Sequence, residues 1–361
     1  MRCLVNAAAN AAAVPAPSGE AAAFHASLPG YRATPVRSLP ALAAELDVAA
    51  VAVKDESDRL GLPAFKVLGA AWAVERTLRQ RPDVHTLVAA SAGNHGRAVA
   101  HVAAGRGLRC RVFLPARSAD ARREAIAGEG ADVIVVDGNY EKAVSLARAA
   151  GNAPGSVEIA DVGESDAAKW VIDGYATLFA ETAAQGRYDV ILVPVGVGSL
   201  AAAAARFAAH ARTKVIGVEP VTAACLTASL QAGRPTRVPT PGTTMAGLDC
   251  AEVSTVAWPV LRDGIHGTVT VDDAEVGAAM RELAVAGLVI GESGAAPLAG
   301  LRRLLTEPGC SALRDAVRIA ADSRVLLIAT EGATDPDSYR RATADMQWPR
   351  TGERAEPGSD G

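Results

Sequence analysis

Short runs rich in Val, Ile and Leu punctuate this chain, and between them lie longer stretches with apolar residues at helical spacing. Runs at residues 50–54, 85–90, 109–114, 131–136, 156–159, 189–195, 214–219, 267–271 and 324–329 have the length and β-branched content of strands. The intervening pattern predicts helices over 40–46, 66–79, 97–104, 119–128, 140–150, 167–185, an alanine run ending at 211, then 225–231, 272–286 and 296–305. Strands that alternate with helices of this length imply parallel sheets covered on both faces. The chain therefore reads as an α/β protein, with a first sheet complete by residue 185 and a second opening at 189. No internal repeat is evident.

Composition narrows the class of function. The chain has 361 residues, half of them hydrophobic, and a net charge of -4 from interspersed charges. Without a basic stripe, nothing favours nucleic acid or an anionic membrane. No apolar run approaches the ~20 residues of a membrane span. Residues 1–23 are rich in alanine after a single Arg2 and lack the leucine-type core of a signal peptide, so they read as a disordered or weakly helical leader on a cytoplasmic protein. The tail, 346–361, reads as frayed. Cys3, Cys110, Cys225, Cys250 and Cys310 are far apart, odd in number and free of any C-x-x-C, so they read as thiols outside disulfides and metal sites. The six His residues form no H-x-x-x-H pair, and no metal is expected.

Three places carry candidate chemistry. Lys66 stands alone among Ala64, Phe65, Val67 and Leu68. Burial would lower its pKa and make its amine a nucleophile toward an aldehyde, although a lysine capping or snorkelling from a helix start has the same pattern. The string S-A-G-N-H-G from Ser91 follows a strand and opens a helix, which makes an anion or ligand loop of unpaired backbone N–H groups. Gly196-x-Gly198 does the same after the strand at 189–195. That second loop also fits G-x-G-x-x-G/A, with Glu219 ending the next strand 23 residues on. A nicotinamide or flavin oxidoreductase and a plain strand-to-helix turn both stay open on that signal alone.

Taken together, P-A-F-K at Lys66, the S-A-G-N-H-G loop, G-V-G-S from Gly196 and E-S-G from Glu292 resemble the pyridoxal-phosphate enzymes of the threonine dehydratase and tryptophan synthase β fold. Longer strings narrow the resemblance to diaminopropionate ammonia-lyases: F-H-A-S-L-P-G-Y-R-A-T-P-V from Phe24, K-D-E-S-D-R-L-G-L-P-A-F-K-V-L-G-A-A-W-A from Lys54, W-V-I-D-G-Y-A-T-L from Trp170, M-A-G-L from Met245 and T-E-G-A-T-D-P from Thr330. The resemblance implies two three-layer, parallel-sheet α/β domains with the active site between them. The large cofactor domain would span 24–68 plus 187–345, and the smaller one 69–186. It implies pyridoxal 5'-phosphate as cofactor, a small amino-acid substrate and a homodimer. Lys66 would form the Schiff base and act as general base at Cα. Asn94 would bond the ring 3'-oxygen, and Gly196, Val197, Gly198 and Ser199 would hold the phosphate. Thr330 would face the pyridine nitrogen, where a hydroxyl makes the ring a weaker electron sink than a carboxylate would and favours β-elimination. Ser91, Ala92, Gly93 and His95 would take the substrate carboxylate.

By the same resemblance the reaction is α,β-elimination from 2,3-diaminopropionate or a related β-substituted amino acid, through a Lys66 aldimine and an aminoacrylate, to a 2-oxo acid and ammonia. A serine/threonine-type dehydratase and a β-replacement synthase are the alternatives on the same fold. Two departures bear on the substrate. Ala92 stands where the family normally has an Asp tied to use of the D-isomer. The loop D-V-G-E-S-D from Asp161 is shorter than the family's and lacks its aromatic residues. Asp161 either meets a distal substrate ammonium or serves as a turn or helix N-terminal carboxylate. Asp335, Glu331 and Glu292 read as solvated or structural carboxylates, and Tyr175 and Trp170 as packing or dimer contacts.

Overall fold

The structure, a computed structural model, describes residues 2–344 apart from Ala92 and Arg117. The expected frayed tail lies outside the described residues. The strands are β1 (Cys3–Val5), β2 (Val36–Ser38), β3 (Ala50–Asp55), β4 (Thr86–Ala90), β5 (Arg109–Pro115), β6 (Asp132–Val136), β7 (Ser156–Glu158), β8 (Val190–Pro194), β9 (Lys214–Pro220), β10 (Gly267–Val271) and β11 (Arg324–Ala329). The helices are α1 (Glu20–Ala26), α2 (Pro40–Glu45), α3 (Lys66–Gln80), α4 (Asn94–Gly105), α5 (Asp120–Gly128), α6 (Tyr140–Gly151), α7 (Asp166–Gln185), α8 (Ser199–Ala211), α9 (Cys225–Ala232), α10 (Trp258–Gly264), α11 (Asp273–Val285), α12 (Glu292–Thr306), α13 (Ser311–Val317) and α14 (Pro336–Thr343).

Two sheets result. The larger has the order β1-β10-β9-β8-β11-β3-β2 and the smaller β6-β5-β4-β7. The smaller sheet is wholly parallel, and the larger is parallel except for β1 and β2 at its two edges. One buried cluster contains Ala52 and Ile191 of the large sheet as well as Leu87 and Val112 of the small one, so the core is continuous between them. Register places the chemistry. Ala329 pairs with Asp55 and Leu327 with Leu192, so the segments after β3, β8 and β11 emerge along one edge. In the smaller sheet Ala90 pairs with Phe113, and Ile159 N–H donates to the Val88 carbonyl at 2.8 Å, so the loops after β4 and β7 also leave from carboxyl ends. In parallel α/β sheets, ligands bind at those ends.

The segment between β3 and Lys66 is fixed by a buried charge network. Lys54 and Arg59, with Glu56 and Glu181, are almost completely removed from solvent. Lys54 Nζ donates to Glu181 at 2.8 Å and to the Thr34 carbonyl at 2.7 Å, and Arg59 bonds Glu56 at 2.7 Å and Glu181 at 2.6 Å. Two cations opposite two carboxylates leave no charge unpaired, which is the condition for burying such a group. The 55–65 segment is therefore held from below, and it delivers Lys66 to the carboxyl edge.

Three expectations need correction. The leader is built into the fold: β1 adds antiparallel to β10, the Asn6 amide donates to the carbonyls of Arg262 and Ile265 at 2.7 and 2.6 Å, and Val14 is buried. A three-residue strand suffices because it pairs with an open sheet edge, which makes weak demands on sequence. That pairing brings Cys3 beside Cys310, and the two form a disulfide with Cα atoms 5.3 Å apart across 307 positions. Helix α12 starts four residues earlier than the pattern implied and carries Pro297 in its interior. Its early turn is supported from outside, because Ser293 N–H donates to the Glu331 carboxylate at 3.2 Å.

Candidate active site

Lys66 is the first residue of α3, and its ammonium donates to Asp161 Oδ2 at 2.8 Å. Its nitrogen lies 5.6 Å from the Phe65 ring centroid and 5.9 Å from that of Tyr175. Burial pulls the amine down, as the sequence implies, but the charge of Asp161 and its hydrogen bond outweigh it, so Lys66 is held above the ordinary lysine range. The expected lowered pKa is thus corrected by a partner 95 positions away in sequence. Burial likewise works against the Asp161 carboxylate, and the His95 and Lys66 side chains beside it prevail, leaving it below the usual carboxylate range. Asp161 is free to face the site because another residue caps the next helix: Ser165 Oγ accepts from Ala168 N–H at 3.2 Å.

His95 is buried, and burial above all lowers its pKa. Its Nε2 lies 2.7 Å from the Ile159 carbonyl, which can only accept, so Nε2 carries the proton. That leaves Nδ1 as the basic nitrogen, buried, without a hydrogen-bond partner and 3.8 Å from Asp161 Oδ2. Asp161 therefore lies between Lys66 and His95.

Two uncapped helix starts frame this group. Gly93 precedes α4 with no side-chain cap, and Ser91 Oγ accepts from Gly93 N–H at 3.2 Å. A side chain at Gly96 would bring a Cβ within 2.4 Å of the Ser91 carbonyl, so the loop can close down only with glycine there. Gly198 precedes α8 in the left-handed region with φ 90°, again without a side-chain cap. Added Cβ atoms would meet Leu261 at 2.5 Å from Gly198, and the Gly247 carbonyl at 2.7 Å and Cys250 Sγ at 3.0 Å from Gly196. Ser199 Oγ donates to the Asp161 backbone carbonyl at 3.3 Å, which ties this loop to the Lys66 pair. Free N–H groups at the positive end of a 13-residue helix suit a phosphate, and a primary amine nearby suits an aldehyde, so the residues fit pyridoxal phosphate.

Thr330 is buried directly after β11, and its carbonyl accepts from Phe65 N–H at 3.1 Å. The Asn94 amide donates to Glu331 Oε2 at 2.5 Å. Direct contacts thus group Lys66, Asp161, His95 and Ser199, and Thr330 and Asn94 connect to them only through Phe65 and Glu331, whereas Ala92 lies outside the described residues. Sequence reading missed several members. Tyr175 packs its ring 4.7 Å from Phe65, and its hydroxyl is buried beside Lys66. Tyr140 donates its hydroxyl to the Ala90 carbonyl at 3.3 Å at the rim of the same site. The Cys250 thiol, pushed up to about 12 chiefly by burial, lies against Gly196. Only Glu331 had a signal in sequence, its place beside Thr330.

Glu219 does not serve the dinucleotide reading. Its carboxylate is buried under the start of α9, accepting from the N–H groups of Leu226 and Thr227 at 2.6 and 2.8 Å and from Thr227 Oγ1 at 2.6 Å. No ribose can reach it. Burial raises its pKa to about 7. Because the folded state binds this proton more tightly than the unfolded chain, the associated stability is present below about pH 4.5 and is lost as the pH rises through 7. Glu219→Gln should flatten that fall, a difference of about 3 kcal/mol, in chemical denaturation curves measured across the window.

Comparison with known proteins agrees with the geometry. The family model described as pyridoxal-phosphate dependent enzyme matches residues 27–331. The chain is 33% identical to the diaminopropionate ammonia-lyase of Salmonella typhimurium, covering 91% of each chain. It superposes with a TM-score of 0.87 and 31% identity on the Escherichia coli diaminopropionate ammonia-lyase in complex with an aminoacrylate-PLP azomethine reaction intermediate, covering 94% of this chain and 96% of that one. The same enzyme in complex with D-serine superposes equally well, at 30% identity. The chain belongs to the pyridoxal-phosphate-dependent enzymes of the threonine dehydratase and tryptophan synthase β fold. Within that family it groups with the diaminopropionate ammonia-lyases.

Proposed function

We propose that the chain is an ammonia-lyase that removes the β-amino group of 2,3-diaminopropionate, or a closely related β-substituted amino acid, giving a 2-oxo acid and ammonia. The observation that carries this reading is the Lys66–Asp161 pair set between two uncapped helix starts. Bound pyridoxal phosphate supplies the electron sink for the pair left on Cα. Lys66 would hold the cofactor through its aldehyde and would be the group that moves the proton at Cα. Gly196, Val197, Gly198 and Ser199 would hold the phosphate with backbone N–H groups, and Thr330 would be the partner of the ring nitrogen. The α4 start, with Ser91, Ala92, Gly93 and His95, would receive the substrate carboxylate on its backbone N–H groups.

Asp161 supports an amine as the leaving group. In the free protein it neutralises the Lys66 ammonium. When the lysine nitrogen is engaged elsewhere, the half-buried carboxylate lacks a counter-charge, and a β-ammonium on the substrate restores one. A dehydratase would have to accept an uncharged hydroxyl there and leave the charge unpaired, which disfavours that alternative. The cytoplasmic location expected from the composition of residues 1–23 and the homodimeric assembly expected from the resemblance belong to this reading. No helix among the described residues is long and apolar enough to cross a membrane.

Borohydride reduction of the protein incubated with pyridoxal phosphate should fix one cofactor to the peptide containing Lys66, read by mass spectrometry. Label on another lysine, or none, contradicts the assignment.

A further inference from the structure

Glu331 follows Thr330 directly after β11, with only 6% of its surface exposed. Its two carboxyl oxygens serve different partners: Oε2 accepts from Asn94 Nδ2 at 2.5 Å, and Oε1 from Ser293 N–H at 3.2 Å. The backbone here is equally engaged. Glu331 forms an antiparallel bridge with Ala64, Gly332 N–H donates to the Pro63 carbonyl at 3.0 Å, and Gly291 N–H to the Glu331 carbonyl at 3.0 Å. One residue therefore joins the approach to Lys66, the start of α12 and the start of α4. The packing is close enough that a Cβ on Gly291 would come within 2.4 Å of the Gly332 carbonyl oxygen.

The Asn94 amide has two N–H bonds. Glu331 takes one, which fixes the plane of the amide and the direction of the other. A buried carboxyl with two donors is a rigid anchor, because turning it away would strand polar atoms out of water. We propose that Glu331 is a positioning residue that aims the Asn94 amide at the edge of the cofactor ring, so that the small sheet and the Lys66 segment grip one ring together. This rests on the pyridoxal-phosphate reading above.

The test is a double-substitution cycle read by cofactor affinity and by the absorbance maximum of the bound cofactor. Glu331→Ala should weaken pyridoxal-phosphate binding about tenfold and displace the absorbance maximum in the same direction as Asn94→Ala. The combined variant should be no worse than Asn94→Ala alone, since both break one contact. Glu331→Gln, which keeps an oxygen for Asn94, should recover most of the affinity. A merely structural Glu331 would lower the melting temperature of the cofactor-free protein, leave the absorbance maximum in place and give additive losses, and that result overturns the proposal. A wild-type protein that develops no cofactor absorbance overturns the underlying reading as well, so the two failures are distinct.

Discussion

Replacing Lys66 by alanine is expected to reduce turnover by about four orders of magnitude or more, because one side chain both holds the cofactor and moves the Cα proton. The same change should act on the fold. Asp161, half-buried at 15% exposure, would be left without its cation, and with the remaining solvent screening the loss should be about 1–2 kcal/mol. Denaturation of the cofactor-free variant should show that loss, and adding Asp161→Ala to Lys66→Ala should return part of it. If Lys66→Ala keeps its activity, the lysine is not the base. If the double variant is as unstable as the single one, the pair at 2.8 Å contributes no net stability.

The second large effect concerns the substrate. Asp161→Asn keeps the size of the side chain and removes its charge, so the loss should depend on what the β-carbon carries. For 2,3-diaminopropionate, kcat/KM should fall about 100-fold, the scale of a desolvated charge pair. For serine, whose β-substituent is neutral, the change should be under about threefold. Loss of activity on both substrates by the same factor would mean that Asp161 acts only through Lys66. Measuring the ratio separates the two roles, since any general disturbance of Lys66 cancels in it.

Much of this was legible in the sequence, for a physical reason: the groups that touch a cofactor sit in short local strings. P-A-F-K, S-A-G-N-H-G and G-V-G-S each carry their function through a loop and the helix start beside it, and the structure has all three at the carboxyl edges of the sheets. The strand and helix pattern was legible for the same reason, since buried parallel strands are continuous apolar runs. What could not be read depends on partners distant in sequence. The charge of Lys66 is set by Asp161, the early start of α12 by Glu331, and the Cys3–Cys310 bond by a three-residue edge strand in an alanine-rich segment. Tyr175 looked like packing because it lies mid-helix, and only the crossing of α7 over α3 brings it to Lys66. A side chain at Gly69 would come within 2.6 Å of the Tyr175 ring, so that crossing depends on a glycine in α3.

The central claim is that an amine leaves the β-carbon. The measurement that tests it most directly follows the 2-oxo acid and ammonia released from 2,3-diaminopropionate by the pyridoxal-phosphate-loaded protein, with serine and threonine in parallel. Loss of the β-amine should give two ammonia for each 2-oxo acid from 2,3-diaminopropionate, at a kcat/KM well above that for either hydroxy amino acid. Faster 2-oxo acid formation from serine or threonine, with none from 2,3-diaminopropionate, would contradict it.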